Sequence, residues 1–215
     1  MNYTAGEGSI ELKGENNSIF QLTSTSNELN RIQGNLSNEN GLSMIDLGTC
    51  EDTLKRYYNI DQNISLIIKK YEQLTVASER NVQYEIYHPI TKEKLNLSLC
   101  QSDTIYLYIP ADLEEELIML YEDLENYGYD LFNINDPFYT DICAPYTSED
   151  GTDVLLSDRR NDYYNGTYTT CQSNCDYSSF ILKYEYLICQ CKIVAEDIDI
   201  NDFGKFSKYF YKISL

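Results

Sequence analysis

Apolar and polar residues alternate through SIELKG and again through SIFQLTSTS, with the turn residues GENN between them, which predicts a β-hairpin over Ser9–Ser26. At least partial alternation returns in four stretches, Ile64–Tyr71, Val82–Tyr87, Lys94–Cys100 and Thr104–Ile109, and each predicts a strand. Turn chemistry such as His88 followed by Pro89 separates them. The period changes to 3.6 in Ala111–Asn126. There Leu113, Leu117, Leu120, Tyr121 and Leu124 share one helical face, Glu114, Glu115, Glu116, Glu122 and Asp123 crowd the rest, and Gly128 ends the pattern. A shorter helix is expected after Thr49, taken as its N-cap, with Glu51 and Asp52 in the first turn. Asn27–Ser43 is polar and Asn-rich, has no period that would bury a face, and reads as an extended arm or loop. The hairpin and arm are placed either on the chain's own body or across to the sheet of a neighbouring subunit.

These elements predict a β-rich α+β fold: an antiparallel β-sandwich-like domain with one docked helix, followed by a small disulfide-rich module. The expected organisation is a hairpin and arm over 1–44, the β-rich domain over 45–132, and the cysteine-rich module with its tail over 133–215. In the tail, Phe203, Phe206, Tyr209, Phe210 and Tyr211 are costly to expose, so they are expected to pack on the body or on a neighbour, or to begin a stalk that continues toward a membrane.

Cysteine changes the picture most. Five of the seven cysteines, Cys143, Cys171, Cys175, Cys189 and Cys191, fall in the last third of the chain, with C-x3-C followed by C-x-C. Cys50 and Cys100 stand apart, and a bridge between them would tie the short helix to the third strand. Closing that loop is worth about 3–4 kcal/mol through the unfolded state. Four thiolates around zinc are the alternative for the C-terminal group, but C-x-C is not the C-x2-C to C-x4-C knuckle that structural zinc favours. Six N-x-S/T sequons, at Asn2, Asn16, Asn35, Asn63, Asn96 and Asn165, also favour disulfides, because acceptors for N-linked glycans belong to an oxidising compartment in which thiols pair. The expected location is extracellular or the cell surface. MNYTAGEGSIELKG lacks the basic start and apolar run of a signal peptide, so a mature chain or a piece of a longer one is expected.

A formal net charge of -19 disfavours nucleic acid and anionic membrane surfaces as partners. No stretch reaches the roughly 18 apolar residues of a membrane-spanning helix, so any membrane link is expected through a segment outside this chain. The acidic loop offers a candidate calcium site at Asp150, Asp153 and Asp158, weighed against a solvated loop in which Arg159 and Arg160 pair locally. No other cofactor is expected, and no catalytic residue is named: the single histidine, His88, sits in a turn, outside any nucleophile or metal motif. The 21 tyrosines, with no tryptophan, suit glycan contacts or subunit interfaces as well as a coding bias.

The spacing from Cys143 to Cys191 resembles that of an EGF-like module. Carried over, the resemblance implies Cys143 paired with Cys175, Cys171 with Cys189, and Cys191 left unpaired or joined to another chain. The run from Ile109 through GYDLFNINDPFYTDICAPYTSEDGTDVLLSDRRNDYYN to the C-x-C is also similar to Cys-rich ectodomains of large single-pass surface proteins of ciliate-type protists. That resemblance implies an extracellular, membrane-tethered location and hands over no catalytic residue. The expected function is a non-enzymatic structural or adhesive glycoprotein module that self-associates, as a homo-oligomer or fibril, in a cell-surface coat or filament. The rivals are a ligand-binding receptor ectodomain and a secreted hydrolase using carboxylates.

Overall fold

In the computed structural model the described residues are 3–14, 17–34, 41–74, 80–111, 113–147, 151–164 and 171–193. Alternation in the first segment produces strands β1 (Ile10–Lys13) and β2 (Ser18–Ser24), joined by a turn in which Asn17 takes a positive φ of 55° and Gly14 N–H donates to the Ser18 carbonyl at 2.8 Å. The hairpin lies on the chain's own body, where β2 pairs antiparallel with β4 (Ile67–Leu74) over seven residue pairs and β4 pairs with β5 (Arg80–Tyr87). The first sheet therefore runs β1-β2-β4-β5.

Part of the expected polar arm is a helix. Ser24 leaves the strand in an extended conformation and its hydroxyl accepts the Asn27 N–H, capping α1 (Thr25–Gln33), which closes at Gly34. The inward residue of α1 is Glu28, fully buried, so the helix hides a carboxylate where periodicity looks for an apolar residue. After it come β3 (Met44–Asp46) and α2 (Thr49–Tyr57). Thr49 is not the N-cap: that position is Gly48, whose φ of 52° favours glycine and where a Cβ would lie 3.1 Å from the Thr104 carbonyl oxygen. The Thr49 hydroxyl instead donates to Asp103 at 2.8 Å.

The expected strand Lys94–Cys100 forms only one bridge, Lys94 with Tyr87, and then turns into a 3₁₀ helix, Leu97–Cys100. Asn96 causes the turn by accepting the Ser98 N–H on its side-chain oxygen, which closes the chain before it can extend. Cys100 thereby meets Cys50 of α2. β6 (Thr104–Pro110) follows, then α3 (Glu115–Asn126), shorter at its start than the expected Ala111–Asn126. Tyr121 and Leu124 are buried, and Leu117, Ile118 and Leu120 pack partly against the core. Short helices α4 (Pro137–Thr140) and α5 (Leu156–Asp158), the latter continuing as a π turn through Tyr163, lead to β7 (Cys175–Ile181) and β8 (Tyr186–Lys192).

The second antiparallel sheet runs β3-β6-β8-β7. Strands from all three expected segments thus enter the two sheets: β2 pairs with β4 across the 44/45 boundary, and β8 pairs with β6 across the 132/133 boundary. One cluster of buried residues draws Ile68, Val82 and Ile86 from the first sheet, Ile45, Ile105, Leu107 and Leu187 from the second, Leu54 from α2 and Leu124 from α3. Each such side chain contributes about 1.5–3 kcal/mol on leaving water. No described helix is long and apolar enough to cross a membrane.

Candidate functional site

The cysteine framework keeps the Cys171–Cys189 pair of the EGF-like expectation and differs from it at Cys143, Cys175 and Cys191. Antiparallel register sets Cys175 directly opposite Cys191, their Cα atoms 4.0 Å apart, and the two are bridged. Cys171 is bridged to Cys189 and Cys50 to Cys100. Cys143, not Cys191, is the free thiol, and it is exposed, in the loop after α4. Side chains two apart on a strand share a face, so Cys189 and Cys191 both point into the core, opposite Leu107 and Ile105.

Around this framework the chain folds an aromatic nest. Tyr121 stacks on Phe132 at 5.2 Å between ring centres, Phe132 meets Phe180 at 4.5 Å, and Phe138 touches Tyr129, Tyr139, Tyr146 and Tyr163. Part of the tyrosine content is interior: Tyr3, Tyr71, Tyr121, Tyr139, Tyr146 and Tyr186 are buried. Two carboxylates organise the nest. Asp136 accepts the Phe138 N–H at 2.8 Å and the Asp130 N–H at 3.1 Å. Asp130 accepts the Phe132 N–H at 3.0 Å and the Tyr177 hydroxyl at 2.6 Å.

Burial, helped by the nearby charge of Asp136, raises the Asp130 carboxyl above its ordinary range against the pull of its hydrogen bonds. Burial also pushes Tyr121 up to about 12, and raises Tyr177, whose hydrogen bond to Asp130 adds to the effect. The phenols stay neutral and donate, while the carboxylates hold backbone N–H groups.

Because the folded pKa of Asp130 is raised, the folded state holds its proton longer than the unfolded state, so this group's contribution to stability falls as pH rises through the window above about 3.8. Asp130→Asn is expected to remove that slope: its stability difference from wild type, measured by urea unfolding, shifts in the variant's favour between about pH 4 and about pH 7. A difference that stays flat across the window would sink the assignment.

Arg159 is fully buried beneath the nest. Its guanidinium donates to four main-chain carbonyls: Phe138 at 2.5 Å, Asp141 at 2.9 Å, Ile142 at 3.0 Å and Val154 at 3.1 Å. Arg160 donates to the Tyr139 carbonyl at 2.7 Å. The expectation that both arginines pair with local acidic side chains is replaced by carbonyl binding, which draws three turns of loop onto one side chain.

A second polar cluster closes the outer edge of β3. Glu72 accepts the N–H and hydroxyl of Ser43, each at 3.0 Å, and Glu28 accepts the Ile45 N–H at 2.9 Å. Lys70 donates to the Ser43 carbonyl, Arg31 to that of Leu42, and Arg80 to that of Gly41. Among themselves, Lys70 pairs with Glu28 at 3.4 Å and Arg80 with Glu72 at 2.5 Å. Side chains thus take the place of a neighbouring strand. The sequence carries no signal for this cluster, since Glu28 lies in the expected arm and Lys70 and Glu72 sit in or beside strand alternation.

Of the candidate calcium residues, Asp153 is exposed, Asp158 accepts from the Ser157 hydroxyl at 3.0 Å, and Asp150 lies outside the described residues. Among the described residues the one cluster of three metal-type ligands is Cys50, Cys100 and Asp103, the two sulfurs of which are bridged, and neither Asp153 nor Asp158 belongs to it. His88 organises its turn, its Nδ1 accepting the N–H groups of Ile90 and Thr91 at 3.1 and 3.2 Å. Asn63 and Asn96 are exposed, while Asn2, Asn16, Asn35 and Asn165, and the tail from Phe203 to Tyr211, lie outside the described residues. Compared with protein-family models, curated proteins and solved structures, the chain gives no match.

Proposed function

We propose that this chain is a non-enzymatic extracellular assembly module, a glycoprotein subunit that self-associates in a cell-surface coat or filament. In this reading the two antiparallel sheets face one another as a disulfide-stapled sandwich. The observation that carries it is the use of cysteine: six are bridged, four of them buried in the core and the other two packed against it, and the seventh is displayed at the surface. Such economy belongs to an oxidising compartment, where an exposed odd thiol pairs between chains. The burial of Asp136, Tyr121, Tyr139 and Tyr146, together with the hydrogen bonds that hold Asp130 against Phe132 and Tyr177, supports a scaffold over a carboxylate hydrolase or a Tyr-lined receptor groove.

The test is to express the protein through a secretory pathway and compare its mass with and without reductant, alongside Cys143→Ser. Disulfide-linked dimers that disappear in Cys143→Ser, on protein that carries N-glycans, are expected. Unglycosylated monomer with seven free thiols would overturn the reading. The sequons make a finer prediction. The Asn96 side-chain oxygen is held by Ser98, leaving its amide nitrogen without a partner among the described residues, whereas the Asn63 nitrogen donates to Asp61 at 3.1 Å. Peptide mapping is expected to find Asn96 more fully glycosylated than Asn63, and the reverse order would contradict it.

A further inference from the structure

Among the described residues two sheets present four edge strands, and three of these are managed. The edge of β3 is clothed by the buried ionic cluster. On β5, the side-chain amide of Gln172 pairs with both the N–H and the carbonyl of Val82, at 2.7 and 3.2 Å, and Leu95 N–H donates to the Ile86 carbonyl at 2.8 Å. β7 carries a register shift between Tyr177 and Ser179, a bulge of the kind that turns an edge away from pairing. β1 ends the first sheet with four residues in unbroken register, Ile10, Glu11, Leu12 and Lys13, the last three exposed.

We infer that β1 is the strand through which two copies of this chain meet, antiparallel about a two-fold axis, with Glu11 of one copy opposite Lys13 of the other. The inference rests on the proposed self-assembly and names its non-covalent contact. Its geometry follows from the ladder. Gly14 N–H is bonded to the Ser18 carbonyl, and hydrogen-bonded pairs alternate in an antiparallel ladder, so Leu12 and Ile10 also turn their main-chain groups toward β2. The main chain of Glu11 and Lys13 therefore faces outward.

A second β1 can bond there only by setting its own outward residues opposite these two. Three registers satisfy this. One places Glu11 against Glu11, another Lys13 against Lys13, and both set like charges directly across the ladder, which disfavours them. The third places Glu11 against Lys13 twice, forms four main-chain hydrogen bonds, and meets Leu12 with Leu12 on the opposite face. Leu12 is 37% exposed. The strand is thus complementary to itself in a single register, as a closed two-fold contact requires. A lone charge on an edge ordinarily repels strands; here the pair repels every arrangement except one.

A four-residue contact is small beside the roughly 800 Å² per partner of a stable complex, so the contact is weak for free subunits and gains strength where many copies are held together.

The experiment is sedimentation equilibrium over a wide concentration range, in a Cys143→Ser background so that no intermolecular disulfide contributes. The expected result is concentration-dependent dimer, reduced at least tenfold in association constant by Lys13→Glu and by Glu11→Lys, each checked for native unfolding. Mixing the two variants restores dimer, because one strand then carries two acidic residues and the other two basic ones, and both facing pairs are again of opposite charge. Association that neither variant weakens, or a mixture that stays monomeric, overturns the β1 contact and leaves the assembly reading standing on another surface. Monomer throughout, in the presence of Cys143 as well, overturns both.

Discussion

Arg159→Ala is expected to cost about 3–5 kcal/mol of unfolding free energy, the range for leaving buried polar partners uncompensated. The side chain is fully buried and binds four carbonyls that belong to three separate turns, at Phe138, at Asp141 with Ile142, and at Val154. Removing it leaves those acceptors without their donor and opens a hole beneath Phe138, over whose ring the guanidinium lies at 5.5 Å. Lysine cannot substitute: it has three donors on a single nitrogen and no planar fork, so Arg159→Lys is expected to recover less than half of the loss. Arg160→Ala is the control. Arg160 is exposed and makes one described carbonyl contact, and its removal is expected to cost about 1 kcal/mol or less. Urea unfolding measures all three, and limited proteolysis locates the damage at 137–164. An Arg159→Ala variant as stable as Arg160→Ala would show that the guanidinium does not organise this segment.

Much of the fold is legible in the sequence wherever one face of an element is apolar. The hairpin, β4, β5, β6 and α3 follow from period-2 or period-3.6 patterns that place Ile68, Val82, Ile86, Leu107 and Leu124 inside. The pattern fails where the interior is polar. α1 buries Glu28, so its window looks like a solvated arm; its one local signal is Ser24, whose cap bond to Asn27 three residues on is a recognisable start. Lys94–Cys100 shows the opposite failure, alternation without a strand, because the Asn96 side chain turns the chain toward Cys50. The disulfides show why spacing alone does not fix connectivity. Gaps between cysteines are silent about register, and it is the β7–β8 register that sets Cys175 opposite Cys191 and leaves Cys143 outside. Arg159 looks like a surface charge in an acidic loop because nothing local in RRNDYY distinguishes a side chain bound to carbonyls from one bound to water.

Glu28→Ala is the second variant expected to have a large effect, about 3–5 kcal/mol, and it tests the polar closure of β3. Glu28 and Lys70 are both buried and 3.4 Å apart, and Glu28 also holds the Ile45 N–H. Truncating the carboxylate therefore leaves a buried ammonium with the Ser43 carbonyl as its remaining described partner, and an edge N–H with none. Glu28→Gln keeps an acceptor for Ile45 and is expected to cost less than the alanine variant, the difference measuring the N–H contact. Replacing the pair together, Glu28→Leu with Lys70→Met, removes both charges, and the cost of a buried ion pair is mostly the desolvation that such a double change relieves. The double variant is therefore expected to be more stable than Lys70→Met alone, with a coupling of about 1–3 kcal/mol from the four-corner cycle. It also strips donors and acceptors from the edge of β3, so it is expected to aggregate more readily than wild type during refolding while unfolding at a similar urea concentration. Stability and edge protection then separate: the charges cost the fold something and keep one strand from pairing. Additive single and double changes, or a double variant that refolds as cleanly as wild type, would remove the grounds for treating the cluster as a substitute strand.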